Sequence, residues 1–539
     1  MTAKSQSVQW FTKKFIVFLS LLNVFALNSF AQTTFQKTFG DTAVNDIGQS
    51  ILQTQDGGYL IAATRYTSGN YIESLFLIRT NSNGDTAWTR LINEPTVNYS
   101  GSQAVKTSDG GFVITGIKGG GNTFVPYLMK MDSSGNVVWN KTYLWYADEH
   151  INAIVQTPDS GFLLAGYLYN GNNLVYFIRT NSSGDTLWTK SYGESFFNAS
   201  VYSVRLASDG GFIAAGSIQN TNTQDVDAFL FKTDSSGNFQ WATGYGDSGY
   251  DYAQQVETTI DSGYVIAGVT YSFGAGLADF YLVKTDASGT LQWSKTYGGS
   301  SDDRSESVRQ TADGGYLFTG ESASFSFGNF DNYMVRTNAS GDTLWTRTLN
   351  GLENNEGYSL VITSDTGYAI TGTYLNASAN NDVFLLKVDG DGLLDCSARS
   401  TPATVMQPAT QTLNHHFNEY PCSPSVIPHT LAVGSGAKVE TLCFPQGIEN
   451  ITGDDQILIE PNPCSDKCIV RNLNERLTDV KIFNVLGKPV LFCGGAENQN
   501  GISKDGYTVV SDVSRLVPGI YFVEVNCGGS VAVLKMIKQ

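Results

Sequence analysis

The chain has 539 residues, a net charge of −17 and only 15% charged residues. An acidic chain so sparsely charged carries no electrostatic footprint for nucleic acid or anionic lipid. Gly is abundant at 56, aromatics reach 12% and Pro stands at 13, the profile of an all-β protein with many tight turns, not of a disordered one.

Lys13 and Lys14 precede an apolar run from Phe15 to Phe25, and Ser29-Phe30-Ala31 follows, small at both ends. A charged start, a short apolar stretch and an A-x-A-like site make a secretory signal peptide. Residues 1–31 therefore read as a cleaved leader, with the mature chain starting near Gln32. A retained anchor would need a longer run to span a bilayer.

Residues 32–395 repeat. An Asp-x-Gly-aromatic marker begins at Asp56, Asp109, Asp159, Asp209, Asp261, Asp313 and Asp365, in steps of 53, 50, 50, 52, 52 and 52 residues. Periods of this size mean solenoids, propellers or arrays. Each copy divides into four short runs rich in Val, Ile, Thr, Tyr and Phe, punctuated by Gly, Asp, Asn and Ser, as strands and hairpins require. In the sixth copy they are strand A (Ser307–Thr311), strand B (Gly315–Gly320), strand C (Tyr333–Thr337) and strand D (Leu344–Arg347). Four strands per repeat make a propeller blade, so the expected fold is an all-β, seven-bladed propeller.

Trp88, Trp139, Trp188, Trp241, Trp293 and Trp345 each follow the C–D turn Gly by four positions, a placement suited to packing between blades. The seventh copy has Cys396 there. The mature N-terminus, Phe35-Gln36-Lys37-Thr38-Phe39-Gly40, matches Trp293-Ser294-Lys295-Thr296-Tyr297-Gly298. Phe35 thus takes the missing place, and the N-terminal strand should close the last blade as its strand D. An open array would leave bare edges.

The phrase Lys232-Thr233-Asp234-Ser235-Ser236-Gly237-Asn238-Phe239-Gln240-Trp241 resembles the tryptophan-docking motif of quinoprotein-type propellers. The resemblance implies blade architecture. It does not bring the enzyme, whose rings have eight blades and a vicinal Cys pair; the repeats here number seven and contain no Cys. No cofactor is expected.

All seven Cys fall from residue 396 onward, at 396, 422, 443, 464, 468, 493 and 527. An odd count leaves one thiol over; a Cys396–Cys443 bridge and a local Cys464–Cys468 bridge are open pairings. Residues 396–450, with Thr401-Pro402-Ala403-Thr404 and Gln407-Pro408-Ala409-Thr410, read as an extended linker.

Residues 451–539 form a second β-unit. Its blocks are Ile457–Pro463, Val480–Lys488, Val513 to Val523 with Pro518-Gly519-Ile520-Tyr521, and Val533–Lys538. About seven short strands suggest an Ig-like sandwich. In this order and at the chain end, the blocks resemble the type A C-terminal sorting domain of type IX secretion, found in Bacteroidota. The resemblance implies the secretion machinery as partner, passage across the outer membrane, and a secreted protein or one attached to the outer-membrane surface after export. An Ig-like adhesion module is the plainer reading of the same strands.

Chemistry is sparsely marked. The Asp-x-x-Gly turns lack the alternating ligands and late Glu of a calcium loop, and turn chemistry accounts for them. Asp227, Asp279, Asp331 and Asp382 precede strand C in copies four to seven, as strand-edge caps would. No metal site is expected. His150 is the one His of the repeats, which hold no Cys, and a lone loop His does not make a triad.

In a meander the B–C and D–A loops share one side of the ring. Those loops vary between copies, and variable loops on a rigid scaffold are where recognition sits. Trp145, Tyr146, Phe273, Phe325, Phe327 and Tyr374 are the candidate ligand-binding residues of that side. Tyr66, Tyr71, Phe124, Tyr169 and Phe197 form a wider set there. The sequence thus favours a non-catalytic binding or scaffold module for a glycan or protein ligand. The alternative is an extracellular polysaccharide-active enzyme using two face carboxylates.

Overall fold

The computed structural model describes residues 32–394 apart from short loop stretches, then the strands within 398–443 and 457–538. The leader reading of residues 1–31 lies outside the described residues. The described chain is all strand, without helix, and divides into Met1–Pro445 and Gln446–Gln539.

The first unit is a seven-bladed propeller of seven antiparallel sheets. In the sixth blade strands A to D run Asp303–Gln310, Tyr316–Ser322, Asp331–Thr337 and Thr343–Leu349. The first blade begins at Asn45–Gln53, and the seventh takes Phe35–Gly40 as its strand D, paired from Phe35 with Lys387 to Phe39 with Val383. The N-terminal strand therefore closes the ring, as its match to the Trp-bearing strands implies.

The core lies between blades. Each of seven apolar clusters draws on two neighbouring blades; the closing one joins Phe35, Phe39 and Val383 to Ile51, Tyr59 and Phe76. Phe35 and the six Trp sit where the C–D turn Gly of the next blade has a positive φ: Phe35 at Gly84, Trp88 at Gly135, Trp139 at Gly184, Trp188 at Gly237, Trp241 at Gly289, Trp293 at Gly341 and Trp345 at Gly392. A Cβ on Gly289 would lie 2.6 Å from the Trp241 ring, so the turn needs Gly twice over, for backbone and for space. Four of these rings have a Tyr four residues on whose hydroxyl donates to the same Gly carbonyl, as Tyr297 does to Gly341 at 2.6 Å.

Two repeated devices escaped the sequence reading. Each A–B turn Asp pairs with a buried Arg or Lys on strand C of its own blade, from Asp56–Arg79 to Asp365–Lys387. Each strand A also carries a β-bulge, at Gln49, Ser102, Asn152, Tyr202, Gln254, Glu306 and Tyr358. The residue after the bulge accepts a hydrogen bond from strand A of the next blade in six of the seven seams: Ala104 N donates to Ser50, Ile154 N to Gln103, Val256 N to Ser203, Val308 N to Gln255, Leu360 N to Ser307 and Ile51 N to Ser359. Ala153 stands at the remaining seam and has no acceptor to offer.

The segment expected as a linker carries strands instead. Ala398–Ser400, Thr404–Met406, Gln411–His415, Asn418–Cys422, Ser425–Pro428, Ala432–Gly434 and Lys438–Cys443 each pair antiparallel with a strand D, visiting blades 6, 5, 4, 3, 2, 1 and 7 in turn. They satisfy the open backbone edge that a four-stranded blade leaves. Pro421 and Pro428 are tolerated within them because an outermost strand needs no donor on its far side. Cys396 and Cys464 lie outside the described residues, and so do the pairings proposed through them.

The second unit has two antiparallel sheets. One holds Ile457–Glu460, Lys467–Asn472 and Thr508–Asp512; the other holds Pro489–Gly494, Leu477–Asn484, Gly519–Cys527 and Ser530–Lys538. Val470, Val480, Ile482, Val513 and Val523 are fully buried in it.

Candidate functional site

The seven bulge residues line one cavity of ≈ 650 Å³ in the ring's lumen. A bulge turns a side chain out of the ladder's alternation, so one side chain per blade is aimed inward. Gln49, Ser102, Asn152 and Gln254 are uncharged polar side chains, Tyr202 and Tyr358 add phenol rings, and Glu306 is the one carboxyl of the seven. On the A–B turn side of this ring the wall continues as Leu52, Val105, Val155, Arg205, Glu257, Arg309 and Val361.

Carboxyl groups gather on blades 6 and 7. Burial, reinforced by Glu321 and opposed by Arg304, pushes the Glu306 carboxyl up to about 8. Burial and then Glu356 push Glu321 up to about 7, against Arg304, whose Nη1 stands 3.1 Å from Glu321 Oε1. The Tyr358 hydroxyl donates to Glu356. Gln254 Nε2 reaches Glu306 Oε1 at 3.5 Å. A carboxyl that holds its proton near neutrality can act as an acid or donate a hydrogen bond.

Of the loop candidates, Trp145, Tyr146 and Phe327 lie outside the described residues. Phe273, Phe325 and Tyr374 are half-buried against their own blades; Phe325 leans on Tyr333 at 5.0 Å and Phe273 on Tyr281 at 6.1 Å. The structure does not bring these three together. The exposed aromatics are others: Tyr169 at 51%, Phe196 at 64%, Tyr250 at 49% and Tyr271 at 44%. Among the described residues every exposed large aromatic lies on the B–C/D–A side, on blades 3 to 5 and the loops joining them. Only Tyr169 belonged to the wider sequence set. Beside them stands Tyr252 on strand A of the fifth blade, its hydroxyl pushed up chiefly by burial, with Tyr202, Tyr271 and Tyr250 adding to the shift.

His150 stacks on Tyr167 at 4.6 Å and bonds Asp148 at 2.8 Å. The C–D turns use their first side chain on backbone: Asp132 Oδ1 accepts from Ser134 N and Asn136 N, both at 2.9 Å. Asp279 Oδ2 accepts from Ala275 N at 2.9 Å and Gly276 N at 3.2 Å, closing its B–C loop, and burial pushes it up to about 6. Among the described residues no three His, Cys, Asp or Glu side chains are grouped to hold a metal.

Residues 459–539 match the family described as the secretion system C-terminal sorting domain. The C-terminal unit is a sorting domain. It implies interaction with the type IX secretion machinery and export to the cell surface or the extracellular space. No curated protein matches the chain. Similar solved structures include a Penicillium chrysogenum α-L-arabinanase complexed with arabinobiose, at 10% identity and a TM-score of 0.34, covering 67% of this chain and 99% of that one. A Trypanosoma rangeli sialidase in complex with the inhibitor DANA is similar at 10% identity and a TM-score of 0.30, covering 64% of this chain and 55% of that one. Likenesses at this level decide nothing about chemistry.

Proposed function

We propose that the chain is made with a cleaved signal peptide, leaves a Bacteroidota-type cell by the type IX route, and acts outside as a non-catalytic glycan-binding propeller. In this reading the two C-terminal sheets stack as an Ig-like sandwich. One observation carries the binding reading: the exposed aromatics Tyr169, Phe196, Tyr250 and Tyr271 are confined to the variable-loop side. Aromatic rings with one apolar face and a polar handle suit sugar rings, which present C–H faces and hydroxyl edges. A glycan array on the mature protein, with Tyr250→Ala and Tyr271→Ala, tests it. Saturable binding weakened about tenfold by either change, the scale of one lost aromatic contact, supports the reading. Absence of saturable binding refutes it.

A second reading, a polysaccharide-cleaving enzyme, is favoured by Glu306 and Glu321, carboxyls held near neutrality beside Glu356. Glycoside hydrolysis needs one carboxyl as acid and another as base or nucleophile. Turnover that disappears in both Glu306→Gln and Glu321→Gln would replace the binding reading with this one.

A further inference from the structure

The lumen cavity has two unlike walls. Leu52, Val105, Val155 and Val361, from blades 1, 2, 3 and 7, make one apolar wall. Opposite them stand Arg205, Glu257 and Arg309 of blades 4, 5 and 6, with Lys106 also lining the cavity. Glu257 Oε2 lies 3.3 Å from Arg205 Nε and 3.6 Å from Arg309 Nη1, so one carboxylate serves two guanidinium groups. Both arginine side chains are mostly buried, at 17% and 21% exposure. Arg309 also donates to Gln255 Oε1 and to Val308 O, which orient it without neutralising it. Burial, with Arg205 as a like-charged neighbour, lowers Arg309 to about 10 despite Glu257. Glu306, at the inner end, is held largely protonated at neutral pH. The cavity therefore sets three cations against one carboxylate.

We propose that this lumen is a binding site for a small amphipathic organic anion, its carboxylate on Arg205 and Arg309 and its apolar body on Leu52, Val105, Val155 and Val361. The site lies in the lumen, apart from the exposed aromatic loops, and stands whether or not those loops bind a glycan. An oxyanion would give the arginine pair the second counter-charge that Glu257 cannot supply, through charge-assisted hydrogen bonds in a confined space. The opposite wall gains by covering apolar surface. A volume of ≈ 650 Å³ suits a ligand of small-molecule size. The same excess of positive charge disfavours a metal ion.

Calorimetric titration of the full chain with benzoate and with benzamide, at pH 7, tests the proposal. Benzoate should bind saturably and benzamide about tenfold more weakly or worse, since only the anion makes the charge-assisted bonds. Arg309→Gln and Arg205→Gln should each weaken benzoate about tenfold and leave benzamide unchanged. Benzoate affinity should also fall as pH rises through about 8, because Glu306, surrounded by Gln254, Arg304, Glu321, Glu356 and Tyr358, then gains charge. Glu306→Gln should abolish that fall. Equal affinity for the two probes, or no saturable binding of benzoate, overturns the proposal. That comparison uses the unaltered protein, so it decides even where an arginine variant fails to fold.

Discussion

Replacing Phe35 by Ala should cost the propeller far more than the position of this residue near the chain start would suggest. Phe35 is 2% exposed, meets Tyr59 edge-on at 6.3 Å and seats on Gly84 of the next blade. Phe→Ala in a core costs about 3–5 kcal/mol. Burying the roughly 150–250 Å² of an aromatic side chain at about 25 cal/mol per Å² gives about 4–6 kcal/mol, so the two routes agree. Set against a net stability of about 5–15 kcal/mol for a typical domain, the loss is a large fraction. The loss also falls on a seam: Phe35 belongs to the strand held by Lys387 to Val383 on one edge and by Lys438 to Cys443 on the other. Urea unfolding followed by Trp fluorescence gives the difference. Leu187→Ala, at a side chain 55% exposed, should stay within about 0.5 kcal/mol. Phe35→Trp, which copies the other six seams, should cost less than about 1.5 kcal/mol. A Phe35→Ala shift below about 1 kcal/mol would mean that the N-terminal strand does not hold the ring shut.

Gln255→Ala should cost about 1–3 kcal/mol in the same assay, because Val308 N at 2.9 Å, Ser307 Oγ at 3.0 Å and Arg309 lose their shared acceptor; no change would show the seam bonds to be incidental. The melting temperature should peak near pH 4–5. The turn carboxyls Asp56, Asp109, Asp159 and Asp313 are held at about 2, chiefly by hydrogen bonds from Thr54, Lys130, Thr157 and Thr311, so their stabilisation is present above their unfolded values and disappears as pH falls toward 2. Asp46, Asp227, Asp279, Glu306 and Glu321 are raised by burial to between about 6 and 8, so their contribution is full in acid and is lost as pH rises through that range. A melting temperature that climbs steadily from pH 4 to 8 would contradict these environments. Removing residues 446–539 should leave the propeller's melting unchanged and hold it in the periplasm; normal delivery of that truncation would refute the sorting role.

The ring and its closure are legible because seven copies align one another: Phe35 stands out only beside six Trp. The Arg or Lys that pairs with each turn Asp was equally visible, as in Arg79-Thr80 or Lys284-Thr285, but its partner sits 20 to 23 positions away in the blade. The outer strands of 398–443 left no alternation to read. An edge strand lying on strand D is held by backbone pairing, and the physics of that pairing is indifferent to side-chain type. The bulges were hidden for the opposite reason, since an extra residue present in all seven strands A leaves the repeat length unchanged. Loop aromatics failed as a signal where a ring could fold back onto its own blade, as Phe325 does onto Tyr333.

That uniformity locates where the protein can differ from a generic propeller. The A–B side is fixed by Asp-to-Arg or Asp-to-Lys pairs, the blade interfaces by rings docked on turn glycines, and the inner seams by Ser or Gln acceptors. Each device repeats nearly unchanged, so each is spent on holding the ring. The bulge position repeats in geometry but not in chemistry: Gln49, Ser102, Asn152, Tyr202, Gln254, Glu306 and Tyr358 share one backbone shape and five side-chain types. A stability requirement would have favoured one residue at seven equivalent places. The variation falls instead on side chains that face a shared cavity, where a ligand sees all seven at once. Exchanging Glu306 for Gln, already present at this position in blades 1 and 5, is therefore expected to leave folding intact while removing the pH dependence of what the lumen binds.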